Sequence, residues 1–163
     1  MTTIDIRQFR KTLRRFERNT QLKNDTCCSG VTLAQCHVIL EIEEAGRATV
    51  GELAVNLGLD KSTLSRTVES LVTHGYVERA PNSSDRRIMD LTLTSLGKAK
   101  ADEINRQNDA YFMSVFRQIA PDRQTEVCDG FSLLVTAMEK QPNETCCTAK
   151  HSKGNPDADT HNQ

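Results

Sequence analysis

The 163-residue sequence lacks a hydrophobic run long enough for a membrane span, any sizeable net charge, and the short motifs that mark the common catalytic sites. Its apolar stretches extend for a few residues, against the ~20 that a bilayer-spanning helix needs. Met1-Thr2-Thr3-Ile4-Asp5 lacks the basic-then-apolar profile of a signal peptide. A soluble cytoplasmic protein without a membrane partner is expected. There is no glycine-rich phosphate loop, no serine nucleophile elbow, no His-Glu-x-x-His and no carboxylate pair in a recognisable motif, which argues against an enzyme. The enzymatic alternative that survives is a thiol oxidoreductase using Cys27-Cys28 or Cys146-Cys147.

A net charge of -1 does not announce a nucleic-acid partner. The distribution says more. Between Ile4 and Lys23 stand Arg7, Arg10, Lys11, Arg14, Arg15, Arg18 and Lys23 against Asp5 and Glu17, a local positive field that is either the solvated face of a helix or a phosphate-contacting one. Ile6, Phe9, Leu13, Phe16 and Thr20 recur at helical spacing on the other side. Thr32 caps a second helix carrying Cys36, Ile39, Leu40 and Ile42, with Gly46 as its stop.

Thr49 precedes Glu52 by three residues, a capping-box spacing that opens a short helix through Leu53, Ala54 and Leu57, closed by Gly58. Asp60 caps the next, through Leu64, Val68, Leu71 and Val72, ended by Gly75. Two short helices across a tight glycine turn read as helix-turn-helix. Residues 76–80 and 88–93 then alternate around the polar tip Pro81-Asn82-Ser83-Ser84-Asp85-Arg86-Arg87, a β-hairpin with cations at its end. This is the wing of a winged helix. Thr94 caps a long helix with Leu96, Ile104, Tyr111, Phe112, Val115, Phe116 and Ile119 in its stripe, broken at Ala120-Pro121-Asp122. A last helix carries Val127, Phe131, Leu134, Val135 and Met138.

The expected fold is thus mainly α with a small β wing. One domain spans 1–141, with helical segments at about 4–46 and 95–141 flanking a winged helix-turn-helix at about 49–94. Residues 142–163, polar and nearly free of apolar side chains, are expected to be a disordered tail.

The runs Asp60-Lys61-Ser62-Thr63-Leu64-Ser65-Arg66-Thr67-Val68, Leu71-Val72-Thr73-His74-Gly75-Tyr76-Val77-Glu78-Arg79 and Asp85-Arg86-Arg87-Ile88-Met89-Asp90-Leu91-Thr92-Leu93-Thr94-Ser95-Leu96-Gly97 resemble the multiple-antibiotic-resistance regulator (MarR) family. The resemblance follows element order over about 4–141 and is strongest over 49–97. It implies homodimers joined by the first and last two helices, reading double-stranded DNA at a pseudo-palindromic operator. It further implies repression of transcription, relieved by a small inducer or an oxidant.

In the recognition helix Lys61, Ser62, Thr63, Ser65, Arg66 and Thr67 lie in the half that enters a major groove. Arg66 is the side chain there able to fork onto guanine, unless it is held by Glu69 three residues on. At the wing, Arg86 matches the family position that probes a minor groove, with Asp85 orienting it and Arg87 as the next cation.

Six cysteines are many for a reducing compartment. Cys27, Cys28 and Cys36 fall within one turn region, and Cys146 and Cys147 lie in the tail, with His37 and His151 as further ligands. Grouped thiolates suit As(III), Sb(III), Hg(II), Cd(II) or Zn(II). The alternative is oxidant sensing, for which Cys36 at a helix N-terminus is the better thiolate. A third reading makes Cys36 a small buried hydrophobe, as Cys128 is expected to be. A winged helix used for protein contacts alone is the remaining alternative.

Overall fold

The computed structural model describes residues 4–24 and 30–141, without the side chains of 21–24. In chain order it runs α1 (Ile6–Asn24), α2 (Leu33–Ala45), β1 (Ala48–Thr49), α3 (Val50–Asn56), α4 (Lys61–Thr73), β2 (Val77–Pro81), β3 (Met89–Leu93), α5 (Ser95–Phe116) and α6 (Pro121–Glu139). The mainly helical fold with its small wing is the one expected. The chain divides into two compact units, Met1–Phe116 and Arg117–Gln163.

Side-chain caps set the helix starts of the first unit. The Thr32 hydroxyl accepts from the Gln35 N–H while the Gln35 side chain accepts from the Thr32 N–H, so two orphan donors of α2 are satisfied reciprocally. Thr49 and Glu52 do the same for α3. The connection between α3 and α4 turns at Gly58, whose φ of +62° is a left-handed conformation that side chains other than glycine's resist.

β2 and β3 form the antiparallel hairpin, with Val77 opposite Leu93 and Pro81 opposite Met89. Sequence reading missed β1, two residues that pair with the outer side of β3 and make it the central strand. Two residues carry too little alternation to be seen as a strand.

The core of this unit joins Val38, Ile39 and Ile42 of α2 to Leu53 of α3 and to Leu64, Val68 and Leu71 of α4. Val77, Leu91 and Leu93 of the sheet and Ala101 and Ile104 of α5 complete it. The 64, 68, 71 spacing puts three side chains on one stripe of α4, leaving Lys61, Ser62, Ser65 and Arg66 exposed. The first half of α5 therefore belongs to this core.

Close approach explains Gly97. A Cβ there would overlap the Tyr76 carbonyl, lying 2.9 Å from its carbon and 3.3 Å from Leu93 Cβ. Thr94 tightens the same corner, its hydroxyl donating to the Gly75 carbonyl at 2.6 Å and accepting from the Gly97 N–H at 3.0 Å. Thr94 is thus the expected cap of α5 and also a tie to the end of the helix-turn-helix.

Away from this core the apolar stripes stay uncovered. Ile6, Phe9 and Phe16 of α1 are exposed, as are Tyr111, Phe112, Met113 and Val115 at the end of α5. In the second unit α6 buries no residue, and Val127, Phe131, Leu133, Val135 and Met138 face outward. Cys128, expected to be buried, is exposed on α6 for the same reason. No helix among the described residues is long and apolar enough to cross a membrane. The expected disordered tail at 142–163 lies outside the described residues.

Candidate nucleic-acid interface

The start of α4 is built around Asp60. Its carboxylate accepts from the Thr63 N–H at 2.9 Å and from the Ser62 hydroxyl at 2.6 Å. These bonds, the Ser62 hydroxyl foremost, hold the Asp60 carboxyl well below the usual carboxylate range. The helix therefore begins with a fixed negative charge. Its exposed surface carries Lys61, Ser62, Thr63, Ser65 and Arg66, while Thr67 is half-buried and donates to the Thr63 carbonyl at 3.1 Å.

This sorts the expected contact residues. Ser62 has spent its proton on Asp60 and is left as an acceptor. Thr67 is turned back onto its own helix. Arg66 is the side chain that gains. Its anticipated partner Glu69 is held instead by Arg79 of β2, at 3.0 Å, and Arg66 has no ion-pair partner among the described residues. An exposed guanidinium with its five donors uncommitted, beside Lys61 and Ser65, is suited to a base edge or phosphate.

The wing tip departs from expectation in one respect. Asp85 orients Arg87 and not Arg86: its two carboxylate oxygens take Arg87 Nε at 3.1 Å and Nη2 at 3.0 Å, and one also accepts the Arg87 N–H at 3.0 Å. The Arg87 side chain, then its N–H, lowers the Asp85 carboxyl from its ordinary value. The reason is local geometry. In the turn closed by Ile88 N–H donating to the Asp85 carbonyl, the residue two positions on folds back over the carboxylate. Arg87 stays 91% exposed despite the pair, so its outer face is open. Arg86 is exposed too.

Sequence reading also missed what lies beneath the tip. Asp90 of β3 is buried, receives the Asn82 amide at 2.8 Å and pairs with Arg47 at 3.5 Å. A lone aspartate in a strand stands out as out of place, but its partners lie 43 residues upstream (90 − 47) and eight residues upstream (90 − 82).

The cysteines are not brought together among the described residues. Cys36, in the first turn of α2, is 3% exposed and packed into the core. Its burial among apolar side chains fits the small-hydrophobe reading. Cys27, Cys28, Cys146, Cys147 and His151 lie outside the described residues, and His37 is exposed on α2. No group of three or more His, Cys, Asp or Glu side chains among the described residues is placed to hold a metal ion. A cavity of about 610 Å³ opens between α2, the wing stem and α5. Its lining of Glu43, Glu78 and Asp102 against Lys98 disfavours an anionic occupant.

Capped helices α3 and α4 across a glycine turn, followed by a cation-tipped hairpin, define a winged helix-turn-helix protein. Likeness to known proteins narrows this class. The MarR family model matches residues 29–88. The chain is 32% identical over 105 residues to the uncharacterized HTH-type transcriptional regulator YxaD of Bacillus subtilis, covering 63% of this chain and 69% of that one. It is 37% identical over 73 residues to the multiple antibiotic resistance protein MarR of Escherichia coli, 45% of this chain and 51% of that one. Among solved structures, a cysteine-to-serine mutant of E. coli MarR complexed with operator DNA superposes with a TM-score of 0.64 and 25% identity, covering 83% of this chain and 99% of that one. The chain belongs to the MarR family, a class of transcriptional regulators and not of enzymes. It spans about half the length of most of the curated relatives it matches.

Proposed function

We propose that the chain is a homodimeric, sequence-specific repressor in which α4 lies in a major groove and the wing lies along the neighbouring minor groove. The observation that carries this reading is the pair of presented cations. Arg66 is released by the Glu69–Arg79 pair, and Arg87 is held in a fork by Asp85 yet open to solvent. Lys61 and Ser65 flank Arg66, and Arg86 adds charge at the tip. The groove-probing role expected of Arg86 passes to Arg87, because a side chain already ordered loses less entropy on binding.

Dimerisation is supported by the uncovered stripes. Burying an aliphatic or aromatic side chain contributes about 1.5–3 kcal/mol, so half a dozen per subunit offset an association cost of about 4–15 kcal/mol. Charge agrees: α1 carries Arg7, Arg10, Lys11, Arg14, Arg15 and Arg18 against Glu17, whereas α6 carries Asp122, Glu126, Asp129 and Glu139 against Arg123. Helices of opposite charge with apolar stripes suit each other across two copies.

The inducer in this reading is a thiophilic ion such as arsenite, taken by the vicinal thiols Cys27-Cys28 and Cys146-Cys147 and not by buried Cys36. Oxidation of the same thiols is the alternative. The test is retention of a fluorescent duplex, selected by the protein from a random pool, with As(III), Cd(II), Zn(II) or an organic peroxide added. Arg87→Ala weakening the complex about tenfold or more supports the wing assignment, and unchanged affinity removes it. Release by As(III) that is lost in a Cys27→Ser/Cys28→Ser variant supports the sensor, and release that survives in every cysteine variant refutes it.

A further inference from the structure

Asp90 is an unusual residue to find in the central strand of a three-stranded sheet. Aspartate fits a pleated surface poorly, and a buried carboxylate is costly unless each oxygen is paired. Here both are. One takes the Asn82 amide at 2.8 Å, and the other faces the Arg47 guanidinium at 3.5 Å. Arg47 immediately precedes β1, and Asn82 is the first residue of the wing tip after β2, so Asp90 joins the two edges of the sheet across its middle strand.

The connection continues into the tip. The Asn82 side-chain oxygen accepts the Ser84 N–H at 2.9 Å and the Asp85 N–H at 3.2 Å, and the Asn82 N–H donates to the Ile88 carbonyl at 2.9 Å. Asparagine is suited to this point because its amide carries a donor and an acceptor on one rigid fork. Its donor faces inward to Asp90 and its acceptor gathers the turn. The turn so gathered begins at Asp85, whose carboxylate holds Arg87. A chain of bonds therefore runs from Arg47 through Asp90 and Asn82 to Asp85 and Arg87.

We propose that Asn82 and Asp90 are positioning residues for minor-groove recognition, fixing the wing tip so that Arg87 is presented in one orientation. This rests on the wing reading above. Without the relay the tip keeps its backbone bonds and the Asp85–Arg87 pair, but the turn that carries the pair is no longer tied to the sheet, so its orientation must be fixed at the moment of binding. The loss then falls on shape readout by the wing, while base readout by α4 is untouched.

The experiment uses the full chain and a duplex that the wild-type protein selects from a random-sequence pool. At the base pairs where hydroxyl-radical footprinting places the wing, G·C or I·C pairs are substituted. The two differ by the guanine 2-amino group in the minor groove, and the ratio of their dissociation constants measures wing discrimination. Wild type is expected to prefer I·C. Asn82→Ala is expected to lose about tenfold in affinity, with the ratio falling toward one, at an unchanged far-ultraviolet spectrum. The double exchange N82D/D90N reverses donor and acceptor and is expected to recover both quantities, whereas N82D alone sets two carboxylates together and is not. Arg66→Ala is the control, losing affinity at an unchanged ratio.

The relay is overturned if Asn82→Ala lowers the melting temperature but leaves the ratio as in wild type, or if N82D/D90N recovers nothing. If Arg87→Ala leaves both affinity and ratio unchanged, or wild type selects no duplex, the wing or DNA reading beneath the relay has failed instead.

Discussion

The winged core and the helical ends of this chain are finished to different degrees. Between Thr32 and Ile104 the apolar side chains of four helices and three strands close on one another, and the helix starts are capped by side chains. In α1, in the last turns of α5 and in α6 most of the large apolar residues are exposed, with Leu13, Phe116 and Leu134 half-buried. The first region is complete within one chain. The second has the sequence pattern of buried helices and the exposure of surface ones, which is what the proposed dimer requires of it.

The largest effect is expected where the finished region is tightest. Gly97→Ala drives a methyl group into the Tyr76 carbonyl and against Leu93, and backbone on backbone has no rotamer to relieve it. A loss of about 3–5 kcal/mol is expected, enough to leave little folded protein. A thermal melt with a transition within two or three degrees of wild type sinks the close-packing account of this corner.

The unfinished region should respond in the opposite way. Phe131 is exposed on α6, a helix that buries none of its own residues, so the core of the first unit should survive Phe131→Asp. Removing one apolar contact from each side and adding a charge should weaken self-association by at least tenfold. Sedimentation velocity over a concentration series reads this directly. A variant that stays dimeric at every concentration where wild type does would show that α6 is not in the interface.

Between these lies Arg66→Ala, on the exposed face of α4. It disturbs neither core nor interface, and should cost about 1–3 kcal/mol in affinity for the selected duplex while relaxing preference at one base pair. A uniform loss across all sequences, with a shallower salt dependence, would make Arg66 a phosphate contact instead.

Much of the finished region was legible because its signals are local. Thr32, Thr49, Asp60 and Thr94 announce helix starts within three residues of themselves, and alternation around a polar tip announces the hairpin. What escaped depends on distance. Cys128 sits in an apolar helical pattern, and periodicity gives a face but not whether anything covers it. Asp90, Asn82 and Arg47 meet only once the sheet has formed. The Asp85 error was finer. Adjacent arginines look equivalent in a sequence, and only the turn geometry selects Arg87. Likewise Glu69 stands at helical spacing from Arg66, yet β2 brings Arg79 to it.

The smallest expected effect tests whether the two regions respond separately to acid. Asp60 has a folded-state carboxyl depressed below its ordinary value of 3.8, by the Ser62 hydroxyl first and then by Thr63. A depressed carboxyl contributes stability that is present above the ordinary value and is lost as pH falls through the folded one. Relative to Asp60→Ala, wild type should therefore melt a few degrees higher at neutral pH. That lead should hold down to about pH 4 and narrow only at lower pH. Self-association of the two proteins should match throughout, because Asp60 caps a helix of the finished core and the helices proposed for the interface lie elsewhere in the chain. A lead that already shrinks between pH 7 and 5 would mean the carboxylate is not held as described. A difference in self-association would mean the cap and the interface are coupled.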